Sequence, residues 1–266
     1  MKILFIGGNH PRHLYYIRKI NDVYPIHGAI FLKREKMVLE IPSGLEDIDA
    51  ANFVKHFSKR EEAEAKYFGH TNIEIFKCNK LVLRNENLNS QASIDFIKKV
   101  NPDIVLIFGT GLIKEPLFSA MPKNAINLHL GLSPRYRGAA TLFWPFYFLE
   151  PQFAGSTFHH IVPEPDSGDV IHQLVPTLEK GDSLHDVACK VVLESAEICI
   201  KLLMKFSAIG YFNTHKQQSS GKNFLERDFS AHHLRVIYNT FNDKIVDHYL
   251  ESKATKNMPF LFNQFD

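Results

Sequence analysis

The stretch MKILFIGGNHPRHLYYIRKINDVYPIHGAIFL, residues 1–32, decides the fold of this chain. Residues 2–6 form a short apolar run that ends in Gly7-Gly8, a pattern typical of a buried strand entering a loop. Apolar residues then recur at helical spacing over 14–20, and a second apolar run follows at 26–32. This strand–helix–strand order predicts an α/β fold in which helices flank a mostly parallel, twisted sheet.

The rest of the chain continues this alternation. Further strands are predicted at residues 73–76, 104–108, 125–130, 155–162 and 169–175. Helices are predicted at residues 52–68, 93–100, 113–121, 139–149, 183–206 and 232–241, with room for one more after Asn242. Ser183 and Asp186 have capping-box spacing, and Gly210 is a suitable helix terminator. We therefore expect a main domain at 1–210 and a small C-terminal appendage at 211–266.

Composition narrows the class of protein. The net charge is +2, so no strong preference for polyanions follows. The three cysteines, Cys78, Cys189 and Cys199, are too few and too far apart to predict a disulfide framework or a zinc ribbon. No apolar run approaches the roughly 18 residues that a membrane helix needs, and the N-terminal run is too short for a signal peptide. These features predict a cytoplasmic protein.

Polar residues follow three of the predicted strands. The strand at 104–108 is followed by Gly109-Thr110-Gly111, the strand at 125–130 carries Asn127 and His129, and the turn after 162 holds Asp166. Ligands of open α/β sheets gather beyond the carboxyl ends of the strands. We therefore expect these segments to meet around one site.

Asn127 and His129 are two residues apart, and residues at that spacing face the same side of a strand. A carboxylate from Asp166 would orient the imidazole and raise its pKa, and the amide could donate to an oxyanion. This set suits acyl transfer with direct attack by an amine, since no nucleophile is evident. The alternative is structural: Asn127 caps a strand end and His129 is a buried, hydrogen-bonded residue.

Three sequence segments resemble the folate-dependent formyltransferase family. The stretch INLHLGLSPRYRGAATLFWPF, residues 126–146, is similar to the family signature of an Asn-x-His pair followed by a proline turn. HHIVPEPDSGDVIHQ, residues 159–173, is similar to its aspartate loop, and VLIFGTGLIKEPLFSAMPKNAIN, residues 105–127, to the strand and loop before the asparagine. The resemblance spans about residues 100–175 and implies a Rossmann-like fold.

The resemblance also implies roles. Asn127 would hold the formyl oxygen, His129 would stabilise the oxyanion and exchange protons, and Asp166 would keep His129 protonated. The formyl donor would be 10-formyltetrahydrofolate. Its pterin would bind largely to main-chain groups of two segments, comprising Phe108, Gly109, Thr110, Gly111, Leu112 and Ile113, and Val162, Pro163, Glu164 and Pro165.

The chain departs from the family pattern in one place. The family usually has Ser-Leu-Leu-Pro after the histidine region, where this chain has Gly131-Leu132-Ser133-Pro134. Any hydroxyl role at position 131 is therefore lost. The pair His159-His160 invites a metal interpretation, but adjacent strand residues point to opposite faces and no carboxylate-rich partner spacing accompanies them. We predict no metal.

Two further segments are candidates for binding the acceptor. The first strand is followed by Gly8, Asn9 and His10. This segment is expected either to contact a phosphate at a helix N-terminus or to form a tight turn. Arg135 and Arg137 in the PRYRG loop either meet substrate phosphates or are solvated. The aromatic run at 143–147 and the phenylalanines of the tail are assigned to packing.

Four acceptor classes are compatible with the family. Methionyl-tRNA enzymes usually carry a large RNA-binding C-terminal domain, whereas only 56 residues follow Gly210 here, with seven Lys plus Arg and six Asp plus Glu. A formyltetrahydrofolate deformylase would have a regulatory domain before the first strand. A glycinamide ribonucleotide enzyme would have a Gly-Ser-rich loop where GGNHPRH stands. Enzymes that formylate nucleotide-linked amino sugars for surface polysaccharides remain by elimination.

Other classes of function stay open. A non-catalytic folate- or nucleotide-binding relative would have lost a catalytic residue type, but all three are present. A Rossmann oxidoreductase would have GxGxxG and an acidic residue ending the second strand, where this chain has GGNHPR and Lys33-Arg34. We expect a small-molecule amine as partner, no nucleic acid and no membrane, with a homodimer left open. The charged region 33–70 is expected to shape the acceptor side.

Overall fold

The computed structural model describes residues 1–33, 40–217, 221–252 and 257–266. Its strands, in chain order, are β1 Ile3–Gly8, β2 Ile26–Lys33, β3 Asn79–Arg84, β4 Ile104–Phe108, β5 Ala125–His129, β6 Tyr136–Gly138, β7 Ser156–His160, β8 Val170–Leu174 and β9 Lys222–Phe224. Its helices are α1 Pro11–Asn21, α2 Asp47–Phe68, α3 Gln91–Val100, α4 Trp144–Tyr147, α5 Leu184–Ile209 and α6 Ile245–Glu251.

Seven strands form one sheet in the order β3-β2-β1-β4-β5-β7-β8. The strands from β3 to β5 are parallel, while β7 pairs antiparallel with both β5 and β8. β1 and β4 are buried along their whole length, as expected for strands covered by helices on both faces. The predicted α/β fold with a mostly parallel sheet is confirmed.

The chain order reverses at β1, because β2 and β3 lie on one side of it and β4 and β5 on the other. In open α/β sheets this reversal opens a crevice beyond the carboxyl ends of the strands. The loops that follow β4 and β5 therefore meet the start of α1 at one edge of the sheet.

The longest helix, α5, has the ends that its sequence predicts. Ser183 accepts a hydrogen bond from the Asp186 backbone while the Asp186 carboxylate accepts one from the Ser183 backbone, which completes a capping box. Gly210 ends the helix in the left-handed region, at φ 78°. Both predictions are confirmed.

Some predicted elements are wrong. Residues 73–76 form a 3-10 turn, and the strand lies later, at β3. β3 is an edge strand with one neighbour, so its sequence shows no continuous apolar run. The predicted helix at 113–121 is only a 3-10 turn at Phe118–Ala120, because Pro116 cannot donate a helical hydrogen bond.

The aromatic stretch and the tail also differ from prediction. Helix 139–149 is reduced to the single turn α4, since Ala140 has φ 54° and cannot continue a right-handed helix. Residues 232–241 contain a 3-10 turn and a π turn instead of one α-helix, and the helix after Asn242 is α6.

The C-terminal segment packs onto the main body. β9 pairs parallel with β6, and Phe224, Leu234 and Val246 belong to the same apolar cluster as Trp144. The division at residue 210 stays a prediction. The charged stretch that begins at Lys33 and the predicted loop at 217–221 lie partly outside the described residues. Within the described part of the chain, no helix has the length and apolarity needed to cross a membrane.

Candidate active site

A cavity of about 410 Å³ opens beyond the carboxyl ends of β4 and β5. Its walls come from the loop after β4, the end of β5, the turn before β8 and the first turn of α1. Asn127, His129 and Asp166 all line this cavity. The structure thus brings together the three residues that the sequence singled out.

β5 positions the amide and the imidazole. Asn127 and His129 are separated by one residue and face the same cavity, while Leu128 between them packs into the core. His129 is 7% exposed. Its Nδ1 lies 3.4 Å from Asp166 Oδ2, and its Nε2 lies 2.9 Å from the Tyr136 carbonyl oxygen.

The Asp166 carboxylate is held at the centre of the site. Asp166 has φ 49°, so the turn points the side chain back toward β5. The Asn127 amide donates to Oδ1 at 3.4 Å, and the Gly138 backbone N–H donates to Oδ2 at 3.1 Å. His129 and His159 flank the same carboxylate, the latter at 3.5 Å.

His159 is a fourth member of the site, and sequence reasoning considered it only as a metal ligand. It stands directly opposite Asn127 in the β5–β7 ladder, and its Nε2 lies 3.1 Å from the Asn127 amide nitrogen. Its Nδ1 lies 2.8 Å from the His160 carbonyl oxygen and must therefore donate to it, which leaves Nε2 of a neutral ring as an acceptor. His159 thereby fixes which way the Asn127 amide points.

Alternation along the predicted strand could have placed His159 and Thr157 on one face. The pairing partner and register of β7 could not be read from the sequence, because antiparallel pairing with β5 depends on the intervening loops. The same alternation puts His160 on the opposite face, where its ring lies 6.3 Å from that of Phe212.

Electrostatics keep Asp166 ionised. Burial acts to raise its pKa, but His129, His159 and the Gly138 N–H together outweigh burial and hold the pKa of Asp166 well below its usual range. At the pH of any ordinary buffer, this group therefore carries its charge. The site thus contains a half-buried anion beside two imidazoles.

Burial lowers the pKa of His129, and the Asp166 carboxylate and the Tyr136 carbonyl only partly oppose that effect. Asp166 thus raises this pKa as expected, but burial outweighs the carboxylate, and the net shift does not favour the protonated ring that was expected. Because Nε2 faces a carbonyl, the neutral ring carries its proton there and presents a lone pair at Nδ1. A proton arriving at Nδ1 is stabilised at once by the adjacent carboxylate. His129 can thus act as a base whose conjugate acid is held by Asp166.

Position 131 explains the departure from the family pattern. A Cβ at Gly131 would lie 2.6 Å from His129 Nε2 and 2.6 Å from the Tyr136 carbonyl oxygen. The Gly131 carbonyl accepts a hydrogen bond from Thr157 at 2.7 Å, and Thr141 donates to the Leu130 carbonyl. The missing hydroxyl at this position is thus accompanied by close packing of the backbone against the His129 ring.

The residues predicted to bind the pterin lie mostly around the cavity. The lining includes nine of the ten, namely Phe108, Gly109, Thr110, Gly111, Leu112, Ile113, Val162, Glu164 and Pro165, and does not include Pro163. Gly109 has φ 71°, and a Cβ there would lie 2.2 Å from His13 Nε2. Glycine at this position keeps the backbone accessible between the ring of His13 and the cavity.

The predicted acceptor contacts lie outside the cavity lining. The cavity meets the first turn of α1 through Arg12 and His13, and not through Gly8, Asn9 or His10. Arg135 is engaged by Glu150 in a two-pronged ion pair, with N–O distances of 3.1 and 2.6 Å.

Arg137 differs from Arg135. It lies close enough to His129 to act on the pKa of that ring, and its buried Nε has no hydrogen-bond partner among the described residues. Of the two arginines, Arg137 is thus the one whose charge no described carboxylate neutralises.

Known proteins match this chain in sequence. The family described as formyl transferase matches residues 42–203, a range that includes Asn127, His129, His159 and Asp166. A methionyl-tRNA formyltransferase of Clostridium tetani is 34% identical over 99 residues. That stretch is 37% of this chain and only 30% of the relative, so this chain matches about a third of the relative's length.

Solved structures share the fold. Phosphoribosylglycinamide formyltransferase from Anaplasma phagocytophilum superposes with a TM-score of 0.57 at 16% identity, covering 85% of this chain and 98% of that one. The formyltransferase PseJ from Anoxybacillus kamchatkensis, in complex with UDP-4,6-dideoxy-4-formamido-L-AltNAc and tetrahydrofolate, gives 0.52 at 17% identity, covering 96% and 100%. Since the family match spans more than half of the 266 residues and includes Asn127, His129 and Asp166, the chain belongs to the formyl transferase family.

Proposed function

We propose that this protein transfers the formyl group of 10-formyltetrahydrofolate to the amino group of a nucleotide-linked amino sugar, in the cytoplasm, for surface polysaccharide biosynthesis. The observation that carries the proposal is the convergence of an amide, an imidazole and an ionised carboxylate on one cavity wall, with 3.4 Å between His129 Nδ1 and Asp166 Oδ2. No side chain in this cluster is a nucleophile suited to a covalent intermediate, so the amine itself attacks.

The proposed chemistry is a direct displacement at the formyl carbon. The amine nitrogen forms a bond to that carbon, and the bond from the carbon to N10 of the folate breaks. Asn127 holds the formyl oxygen as it becomes an oxyanion, which is the step where fixed donors contribute most. His129 accepts the proton that the amine loses, and Asp166 stabilises the resulting imidazolium before the proton is returned to N10.

The residues present fit a folate donor. A cavity of about 410 Å³ lies within the range of small-molecule sites. Gly109 and Gly111 leave main-chain groups accessible on one wall, and the turn at 162–166 forms the other. Flat rings with hydrogen-bonding edges, such as a pterin, are suited to a narrow cleft of this kind. The ten residues named from the resemblance are proposed as this donor site.

The acceptor class rests on weaker support. PseJ, whose complex contains a formamido nucleotide sugar, covers this chain along 96% of its length. Gly8, Asn9, His10, Arg135 and Arg137 are proposed as contacts of the nucleotide portion, with Arg137 the strongest because no described carboxylate neutralises it. Methionyl-tRNA is a second candidate, favoured by the 34% identity to the Clostridium tetani enzyme. Phosphoribosylglycinamide is a third, from the fold alone.

The test offers the purified protein 10-formyltetrahydrofolate with separate amines. The panel contains UDP-4-amino-4,6-dideoxy-L-AltNAc, dTDP-linked 3-amino and 4-amino dideoxyhexoses, phosphoribosylglycinamide and methionyl-tRNA. We expect tetrahydrofolate to form only with a nucleotide-linked amino sugar, and in equal amount to the formylated product.

Other outcomes would contradict the proposal in distinct ways. Transfer to methionyl-tRNA or phosphoribosylglycinamide alone would replace the acceptor and keep the chemistry. Tetrahydrofolate release without any amine would indicate a deformylase. Tight folate binding with no turnover on the whole panel would indicate a non-catalytic relative.

A further inference from the structure

A second cavity, of about 330 Å³, adjoins the catalytic cavity. It lies between α1, α2 and α5, and four residues line both spaces, namely Arg12, Leu130, Ala140 and Thr141. The two cavities are therefore adjacent, and these four residues form the boundary that they share. The catalytic mechanism described above uses none of the groups that are confined to this second space.

Three charged side chains line the second cavity, namely Arg12, Arg60 and Glu64. Arg12 and Arg60 both contact Glu64 Oε1, at 3.2 and 3.4 Å. The Glu64 side chain is 4% exposed, so one buried carboxylate faces two guanidinium groups. Burial lowers the pKa of His56 to about 3 and that of His185 well below its usual value, so both rings are neutral. A cationic occupant is disfavoured here.

Two residues that line this cavity each carry a buried atom without a hydrogen bond. Glu64 Oε2 and His185 Nε2 have no hydrogen-bond partner among the described residues. Glu64 Oε2 can only accept a hydrogen bond, whereas Nε2 of a neutral His185 ring can accept or donate one, depending on the tautomer. Buried polar atoms are nearly always paired in folded proteins, so two together indicate a ligand that hydrogen-bonds to both.

The remaining walls are apolar. The lining also includes Phe57, Phe68, Leu142, Phe143, Val192 and Phe229. A phosphate would place its oxygens against the Glu64 carboxylate oxygen, which is unfavourable. The chemistry of the space thus matches an uncharged group that carries hydroxyl or amide N–H donors together with an aliphatic surface.

We propose that the second cavity binds the non-reacting part of the acceptor sugar, a compact uncharged group with a hydroxyl or amide N–H, and that Glu64 and His185 determine acceptor specificity. This inference rests on the proposed function, since it is the shared wall with the catalytic cavity that makes the occupant part of the acceptor. The diphosphate and base of the acceptor then lie outside this space.

The test uses two variants that alter the cavity in different ways. Ala188→Leu adds side-chain volume to the α5 wall, and His185→Phe removes one hydrogen-bonding atom while keeping a ring of similar volume. Matched controls are Ala208→Leu, at an exposed site on the same helix, and His248→Phe, at an exposed site on α6. The first acceptor tested is UDP-4-amino-4,6-dideoxy-L-AltNAc. The variants are then compared with whichever panel compound gives the wild-type protein its highest kcat/KM.

We expect KM for the acceptor to rise about tenfold in both cavity variants, the size expected for one lost hydrogen bond or an encroaching side chain. KM for 10-formyltetrahydrofolate should stay within about twofold, and both controls should match the wild type on both substrates. The His185→Phe protein should melt at the wild-type temperature or above it, because the change removes an unpaired buried atom. A loss of acceptor affinity then cannot be attributed to unfolding.

The contrary outcomes would contradict different claims. Wild-type turnover with unchanged acceptor KM in both variants would overturn this inference and leave the proposed function standing. A rise confined to KM of the folate would assign the cavity to the donor and would also overturn it. A wild-type protein that formylates no amine on the panel would remove the proposed function and this inference together.

Discussion

The two neighbouring cavities differ in whether their polar groups have hydrogen-bond partners. In the catalytic cavity, Asp166 is surrounded by donors and imidazoles, and its anion is satisfied before any substrate arrives. In the second cavity, Glu64 Oε2 and His185 Nε2 have no hydrogen-bond partner within the described residues. Satisfied groups fix a geometry in advance, as catalysis requires, whereas unsatisfied ones are suited to pairing with a ligand.

The largest expected effect comes from removing the charge at the centre of the catalytic cavity. Asp166→Asn keeps the side-chain volume, and asparagine tolerates the left-handed φ of 49° at this position. Without the anion, the imidazolium of His129 is no longer stabilised when it takes a proton. We expect kcat for tetrahydrofolate formation to fall at least about 10³-fold, or roughly 4 kcal/mol in the activation barrier.

Asp169→Asn is the matched control, since it removes a carboxylate from the same turn at an exposed position. Its kcat should stay within about twofold of the wild type. If Asp166→Asn retained kcat within tenfold of the wild type while folded, the paired anion would not be what organises this cavity.

The second comparison concerns acid stability. On unfolding, the neutral histidines of the second cavity take up protons as the pH falls below about 6.5, whereas the Asp166 carboxylate takes one up only below its unfolded pKa of about 4. For His56 the folded-state pKa is about 3, and its unfolded value is about 6.5. Its contribution to stability is therefore complete above about pH 6.5 and is lost as the pH falls toward 3.

Urea unfolding at pH 7 and at pH 4 measures this loss. We expect His56 alone to account for roughly 3 kcal/mol of the decrease in the free energy of unfolding. His56→Gln should flatten the pH dependence by about that amount, while His70→Gln, at an exposed site, should leave it unchanged. An equal slope in wild type and His56→Gln would mean that this ring is not held neutral by burial.

The contrast between the cavities also shows which structural features can be predicted from the sequence. The apolar runs of β1 and β4 predict buried parallel strands, and the spacing of Asn127 and His129 predicts a shared face, because these are properties of local order. The resemblance to the family places Asp166 in the same site. Those signals were enough for most strands of the sheet and for the three residues that we propose as catalytic.

The features that could not be predicted from the sequence depend on contacts between elements that are distant along the chain. His159 joins Asn127 through the register of β5 with β7, and the second cavity arises where α2 packs against α5. Neither the register nor the helix packing is encoded in a motif. The net direction of the His129 pKa likewise depends on how deeply the fold buries the ring, which a neighbouring carboxylate in the sequence does not reveal.

The smallest expected effect tests how tightly the catalytic cavity is closed around its imidazole. A Cβ at Gly131 would lie 2.6 Å from both His129 Nε2 and the Tyr136 carbonyl oxygen, which are hydrogen-bonded to each other at 2.9 Å. Gly131→Ala would therefore separate this pair and move the ring relative to Asp166. We expect kcat to fall about 30-fold, or roughly 2 kcal/mol, with little change in either KM.

Gly210→Ala is the control that separates geometry from stability. Position 210 has φ 78°, and a Cβ added there would meet no described atom within 4 Å, so alanine costs about 1 kcal/mol of stability without touching the site. Its kcat should equal the wild-type value. Gly131→Ser, which restores the residue usual in the family, should be at least as harmful as alanine, because the same Cβ is added. A serine variant with full kcat would show that this loop can move away from His129, and the catalytic cavity would then be as adaptable as its neighbour.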